Sequence, residues 1–207
     1  MEFASKELSA KYDRFARWYD HVEGVLDLLG LRTLRQSVLS EASGKVLEVA
    51  VGTGKNLPYY QRDCRIIALD LSSEMLKVAR NRAAKLSLPV SFLVADAEAL
   101  PFRSNSFDTV VSSLSTCTFP SPIAALEQMA RVCRADGKIL LLEHGGSDRE
   151  WLGRFQDRHA SQFVKPRGCH WNRVPLDMVR KAGLEVNGAR RFFLGIFHQI
   201  QAAPRSS

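Results

Sequence analysis

Five short apolar runs mark the first two-thirds of this chain, and their order dictates its fold class. They are Gly44-Lys-Val-Leu-Glu-Val-Ala50, Arg65-Ile-Ile-Ala-Leu-Asp70, Val90-Ser-Phe-Leu-Val-Ala95, Phe107-Asp-Thr-Val-Val-Ser-Ser113 and Lys138-Ile-Leu-Leu-Leu-Glu143. Runs of this length without strict alternation suit strands buried on both faces. Helical segments fall between them. Ser72-Ser-Glu-Met-Leu-Lys-Val-Ala-Arg80 opens with a serine cap and an early glutamate, and a second helix is expected from Pro122 to Cys133. Ala135-Asp-Gly137 reads as a turn. Strands alternating with helices predict a doubly wound α/β domain, its parallel sheet covered on both faces.

Two segments and a tail stand outside this alternation. Residues 5–42 read as helical, with Tyr12, Phe15, Trp18 and Tyr19 spaced along one face. Residues 147–182 read as a helical insert carrying Trp151, Leu152, Phe155 and Phe163, broken at Pro166-Arg-Gly168. Leu184 to Ala203 alternates as a strand hairpin about Gly195. The expected organisation is one domain: a lid (1–42), a core (43–146), an insert (147–182) and terminal strands (183–207). Segments added above the carboxyl ends of such strands usually form the substrate pocket.

Bulk properties exclude several classes. A chain of 207 residues suits one full core. No stretch approaches the roughly 18 apolar residues of a membrane span, and the first residues lack the basic-then-apolar order of a signal peptide. Cys64, Cys117, Cys133 and Cys169 are scattered without a CxxC pair, which argues for reduced thiols in the cytoplasm and against a zinc site. Residues 147–207 hold 11 Lys/Arg against five acids, so this third carries +6 of the net +7. Such an excess suits either a basic solvated surface or an anionic partner such as a phospholipid surface. No RNA-binding signature accompanies it, so no nucleic-acid partner is expected.

The first strand runs directly into Glu48-Val-Ala-Val-Gly52-Thr-Gly54. Glycines there allow a tight turn and close approach of backbone to a ligand. Asp70 follows Gly54 by 16 residues, at the end of the second strand, where a carboxylate can accept both hydroxyls of a ribose. A turn-capping Asp is the alternative, although Ser72 is the better cap. Asp96 ends the third strand, where an acid can accept the amino group of an adenine. A dinucleotide site wants a third glycine where Leu57 stands, and the P-loop pattern is missing. An acidic loop residue, Glu48, suits a cationic ligand without phosphate. S-adenosylmethionine (SAM) has a sulfonium, an ammonium and no phosphate.

These motifs, taken in order, resemble the class I SAM-dependent methyltransferases, and within them the ubiquinone/menaquinone-biosynthesis branch. The resemblance runs over about two-thirds of the chain, from Tyr12-Asp-Arg-Phe-Ala-Arg-Trp-Tyr19 through Val46–Gly54, Ala68–Leu76, Asp96–Phe102 and Ser106–Leu114 to the Arg131–Lys138 turn and Glu143. It implies a Rossmann-like fold with a seven-stranded, mostly parallel sheet. It also implies that Glu48, Ala50, Gly52, Gly54 and Asn56 line the methionine end of SAM and that Asp70 holds the ribose. Leu71 and Met75 would flank the adenine, Asp96 and Ala97 would bind its edge, Ser113 and Leu114 would border the sulfonium, and Tyr12 and Tyr19 would close over the cofactor. The family usually has Gly and often Cys where this chain has Ala50 and Val51.

Methyl transfer needs an acceptor held near the methyl group and water excluded, with a base only where the acceptor loses a proton. The catalytic candidates are His144, Cys117 and Tyr19, with Cys169-His170-Trp171-Asn172 in the insert. Each of these also has a plain reading as a loop, packing or turn residue. The sequence Glu143-His144-Gly145, an aromatic helix, Gly168-Cys169 and Asn172-Arg173 resembles the methyltransferase-like seven thiol methyltransferases and bacterial phosphatidylethanolamine N-methyltransferases. The first group has an amino-terminal membrane anchor, which this chain does not show. The expected acceptor is therefore a small lipophilic or membrane-associated molecule (a phospholipid amine, a quinone or a thiol). Peripheral contact with an anionic membrane through residues 5–20 fits this expectation. A non-catalytic SAM- or RNA-binding protein on the same fold is the alternative from another class.

Overall fold

The computed structural model describes residues 9–10, 12–13 and 30–205. Phe15, Trp18 and Tyr19, with most of the amino-terminal segment, lie outside the described residues. The elements are α1 (Arg32–Leu39), β1 (Lys45–Val49), a 3-10 turn (Leu57–Tyr59), β2 (Arg65–Asp70), α2 (Ser73–Lys85), β3 (Val90–Val94) and β4 (Phe107–Ser113). They continue with α3 (Pro122–Val132), β5 (Cys133–His144), α4 (Glu150–Arg167), α5 (Pro175–Lys181), β6 (Glu185–Phe192) and β7 (Phe197–Ala203).

The strands form one seven-stranded sheet in the order β3-β2-β1-β4-β5-β7-β6. Strands β1 to β5 pair in parallel, and β7 runs antiparallel to both β5 and β6. The order reverses at β1, whose neighbours are β2 and β4. In open α/β sheets the ligand crevice opens at such a switch point. The turn expected at Ala135–Gly137 falls where the β4–β5 register jumps from Phe107↔Cys133 to Thr109↔Lys138.

Side chains of period two send the inner strands into two apolar layers. Leu47, Val49, Val110, Ile139 and Leu141 pack with Leu126 and Met129 of α3 and Val179 of α5. Val46, Val111, Leu140 and Leu142 pack with Val38 and Leu39 of α1 and Leu76 and Ala79 of α2. Each such leucine, removed from water, contributes roughly 2 kcal/mol. Helix α2 starts where Ser72 accepts a hydrogen bond from the Met75 amide at 3.1 Å. Glu74 in its first turn and Arg82 and Lys85 in its last complement its dipole. Helix α4 stops at Gly168, whose φ of 66° closes the last turn in the left-handed region.

Candidate active site

A cleft opens at the carboxyl ends of β1 to β4. Its floor begins at the glycine loop, whose residues do different jobs. Gly52 lines the cleft with φ +55°, and nothing lies within 4 Å of where its Cβ would be. That space is available to a ligand against bare backbone. Gly54 (φ +78°) does not line the cleft; a Cβ there would meet Leu57 Cδ1 at 2.8 Å and Ala79 Cβ at 3.2 Å. Its work is close packing of the loop against α2. Ala50 lines the cleft with φ 55°, a left-handed conformation that a Cβ disfavours. Glycine would adopt this conformation without strain.

Asp70 is the most constrained polar group of the cleft. One carboxylate oxygen accepts the Gly52 amide at 2.8 Å and the other accepts the Ser72 amide at 2.9 Å. The Leu71 amide also bonds this carboxylate, whose two oxygens have about four acceptor positions in all, leaving capacity for a ligand. Burial pushes its carboxyl above the ordinary value, against the pull of these amides. Asp96 stands across the cleft and accepts the Glu98 amide at 2.9 Å. Leu71, Met75, Ala97, Ser113 and Leu114 complete the lining expected from sequence. The described lining holds two aspartates and no lysine or arginine. A phosphate would be repelled there, whereas a cationic nucleoside would not.

Glu48 and Asn56 lie beneath this floor rather than in the lining. Glu48 is 2% exposed. Its Oε1 accepts Asn56 Nδ2 at 2.8 Å, and the buried Tyr60 hydroxyl lies beside the carboxylate as a second donor. The same Asn56 amide donates to Ser113 Oγ at 3.0 Å, and its carbonyl accepts Arg35 Nη1 at 2.7 Å. Asn56 thus joins β1, β4 and α1 in one buried polar chain. Burial raises the Glu48 carboxyl to about 7, partly offset by hydrogen bonds from Asn56 and Tyr60 and by the Arg35 charge. Arg35, buried to 4% exposure in the described structure, had no signal in the sequence beyond its place on the inner face of a short helix.

The described residues of the amino-terminal segment roof the cleft. Ser9 and Tyr12 line it, and Ser9 Oγ donates to the Leu71 carbonyl at 3.2 Å. Asp13 accepts the Ser72 hydroxyl and the Glu74 amide, which fixes the roof to the start of α2. Burial, with the Cys117 thiol nearby, pushes the Tyr12 phenol well above its ordinary range, against a hydrogen bond with Thr118. Tyr19 lies outside the described residues.

The remaining wall is assembled from distant segments. Leu114 adopts φ 54°, so the chain leaving β4 bends sharply into the 115–120 loop. The buried Glu143 of β5 holds that loop, accepting the Ser115 amide at 2.9 Å and the Thr116 amide at 3.2 Å. Burial raises the Glu143 carboxyl, and hydrogen bonds from the Thr116 and Ser112 side chains, with His144 nearby, oppose the rise. Arg173 of the insert grips the same loop from outside, donating to the carbonyls of Thr116 at 2.9 Å and Phe119 at 2.8 Å. Cys117 and His144, the expected catalytic candidates, do not line the cleft. Their side chains gather with that of Cys169 away from the cleft, and Cys169 Sγ is 3.5 Å from His144 Nε2. A hydrogen bond from Cys117 and the nearby His144 pull the Cys169 thiol down to about 5, while Cys117 is pushed well up. The hold of Glu143 and Arg173 on this loop escapes sequence reasoning, and Cys169, a candidate of the insert cluster, could not be paired with Cys117 and His144, because these partners are far apart in the chain.

A family model described as methyltransferase domain matches residues 47–141, from β1 to β5. The phosphatidylethanolamine N-methyltransferase of Cereibacter sphaeroides is 36% identical over 168 residues, covering 79% of this chain and 82% of that protein. This chain belongs to the SAM-dependent methyltransferases. The demethylmenaquinone methyltransferase of Renibacterium salmoninarum is also 36% identical, over 142 residues that make 66% of this methyltransferase and 58% of that longer protein. A solved SAM-dependent methyltransferase from Thermotoga maritima superposes with a TM-score of 0.72 at 22% identity, covering 96% of this chain and all of that one. This last likeness bears on the fold alone. The methyltransferase uses SAM, whose positive charge and lack of phosphate match the acidic lining of the cleft.

Proposed function

We propose that this methyltransferase moves the SAM methyl group to a small lipophilic or membrane-associated acceptor, such as a phospholipid amine, a quinone or a thiol. The bound cofactor supplies a methyl carbon already activated by its sulfonium. In this reading the chain's own residues position and enclose. Asp70 accepts the ribose hydroxyls, and Asp96 with Ala97 meets the adenine edge. Leu71 and Met75 flank the ring. Ala50, Gly52, Ser113 and Leu114 surround the methionine end, and Tyr12 keeps water out from above. Glu48 and Asn56 act from below by fixing Ser113 and by supplying negative potential to an ammonium group.

The observation that carries the acceptor class is an exposed apolar group near the carboxyl end of β5. Trp151 is 66% exposed and Phe155 50%, on α4; Phe193 and Leu194, at the β6–β7 turn, are 49% and 53% exposed. The turn meets the start of the insert, since Ser147 Oγ donates to the Leu194 carbonyl. Arg149, Arg154 and Arg158 are exposed on or beside α4, the first two paired with Asp148 and Glu150. Apolar tips set among such charges suit a lipid interface. No helix among the described residues is long and apolar enough to cross a membrane. The names of the two curated relatives, one for a phospholipid amine and one for a quinone, support the same class.

The test combines labelled SAM with vesicles of phosphatidylglycerol and phosphatidylcholine carrying phosphatidylethanolamine, a quinol or a long-chain thiol. Label should pass into the organic extract, and the protein should co-sediment with the anionic vesicles. Replacing both Trp151 and Phe155 with Ser should raise the KM for the vesicle-borne acceptor several-fold and leave SAM affinity intact. Transfer confined to water-soluble acceptors, with no vesicle binding, would overturn the reading.

A further inference from the structure

Three side chains left unused by the cofactor cleft converge away from its lining. Cys117 lies in the loop after β4, His144 ends β5, and Cys169 follows α4. One ligand atom from each lies within 4.8 Å of the other two, and Cys169 Sγ is 3.5 Å from His144 Nε2. We propose that Cys117, His144 and Cys169 form a zinc site.

The geometry fits that ion. Zinc–sulfur bonds of about 2.3 Å and zinc–nitrogen bonds of about 2.0 Å in a tetrahedron put neighbouring ligand atoms roughly 3.6 Å apart. The observed sulfur–nitrogen separation is already at that value, and small side-chain rotations bring in the second sulfur. Two thiolates and an imidazole form a soft donor set that selects zinc over magnesium or calcium. Three protein ligands leave one coordination place, for water or for a soft donor atom of a ligand.

The surroundings are built to hold these atoms in place. Cys117 is 2% exposed, and Cys169 and His144 are half-buried. The Cys117 carbonyl accepts the His170 amide at 2.8 Å, which ties the loop to the residue beside Cys169. Glu143 anchors the residues before Cys117, and Arg173 holds the carbonyls on either side of it. Next to His144, the Gly145 amide donates to the Ile196 carbonyl at 2.8 Å, which fixes the end of β5 to the β6–β7 turn. Such outer contacts orient metal ligands and are usually needed for tight binding. The sequence conceals the site because the cysteines are separated by a whole strand, helix and insert, and no CxxC pair announces it. A bound ion would pin the loop, the strand end and the insert together at the acceptor side.

The test uses the full chain, reduced and stripped of metal, titrated with Zn²⁺ alone against a chromogenic chelator. One equivalent should bind and raise the melting temperature. Co²⁺ in its place should give thiolate-to-cobalt charge transfer and the intense visible bands of a tetrahedral ion. Cys117→Ala, His144→Ala and Cys169→Ala should each weaken zinc binding by about 100-fold or more. Cys64→Ala, at a buried thiol on another layer, should bind as the natural chain does. Binding of the demethylated SAM product reports folding in each variant. Should an alanine variant fail to fold, the half-exposed Cys169→Ser carries the test with the same expected loss. The proposal is overturned if the reduced chain holds well under one equivalent, if Co²⁺ stays octahedral and free of thiolate, or if the folded variants retain zinc.

Discussion

The two sides of the cleft are built by opposite strategies. The cofactor side comes from consecutive strand ends, so Ala50, Gly52, Asp70 and Asp96 each sit within a few residues of a strand they terminate. The opposite wall, which the proposed reading gives to the acceptor, is the 115–120 loop, held from outside by Glu143 of β5 and Arg173 of the insert. Local construction fixes a site for an invariant ligand. Non-local construction leaves room for the ligand to vary while the sheet stays the same.

Four experiments should sharpen this contrast or break it. The largest effect is expected on the local side. Asp70→Ala removes two ribose contacts and strands the amides of Gly52 and Ser72. Charge-assisted hydrogen bonds contribute about 2 kcal/mol each, so SAM affinity should fall roughly 1000-fold by calorimetry. Unchanged affinity would refute the ribose assignment.

The next effect belongs to the acceptor side. Arg173→Met should lower stability by roughly 3 kcal/mol in a denaturant titration, since buried carbonyls lose a charged donor. Arg173→Lys should not rescue it, because a single ammonium cannot span the separate carbonyls that the guanidinium reaches. Activity should fall further than SAM affinity. A matching fall in both would show that the two sides are not separable.

Third comes the pH dependence of Glu48, whose carboxyl rises from 4.5 to about 7 through burial. Its folded pKa exceeds its unfolded one, so the folded state binds the extra proton between those values. Stability of the ligand-free protein should therefore fall as pH rises from about 4.5 to about 7. The share of this group is roughly 3 kcal/mol. Glu48→Gln should flatten that slope. In the natural chain SAM affinity should climb across the same window, as an ammonium group favours the ionised carboxylate. A flat affinity profile would mean that Glu48 serves only Asn56 and Arg35.

The smallest effect is at Ala50. Its φ of 55° stores strain that Ala50→Gly releases. Thermal unfolding should shift upward by less than about 1 kcal/mol, since glycine also adds freedom to the unfolded chain. A loss of stability would show that the Ala50 methyl packs usefully.

Most of the sheet was legible because β1 to β5 are apolar runs with glycines and acids at their ends, and these signals are local. The tail hairpin was also readable from its alternation about Gly195. The glycine loop was legible as a ligand turn but not in its division of labour. Only packing distances reveal that Gly52 faces open space while Gly54 abuts Ala79. Glu48 reads in sequence as a cleft carboxylate, yet its strand turns it under the floor, where Asn56 and Arg35 meet it. Glu143 looked like the end of a buried strand, and its hold on the 115–120 loop needed the β4–β5 register. Cys169 was legible as a candidate of the insert, but its approach to Cys117 and His144 needed the fold.

The central claim is a cleft shaped for a cationic nucleoside without phosphate. Calorimetric titration of the natural chain with SAM and, separately, with NADH at neutral pH tests it most directly. The account predicts stoichiometric binding of SAM and no heat from NADH; saturable NADH binding with no response to SAM would contradict it.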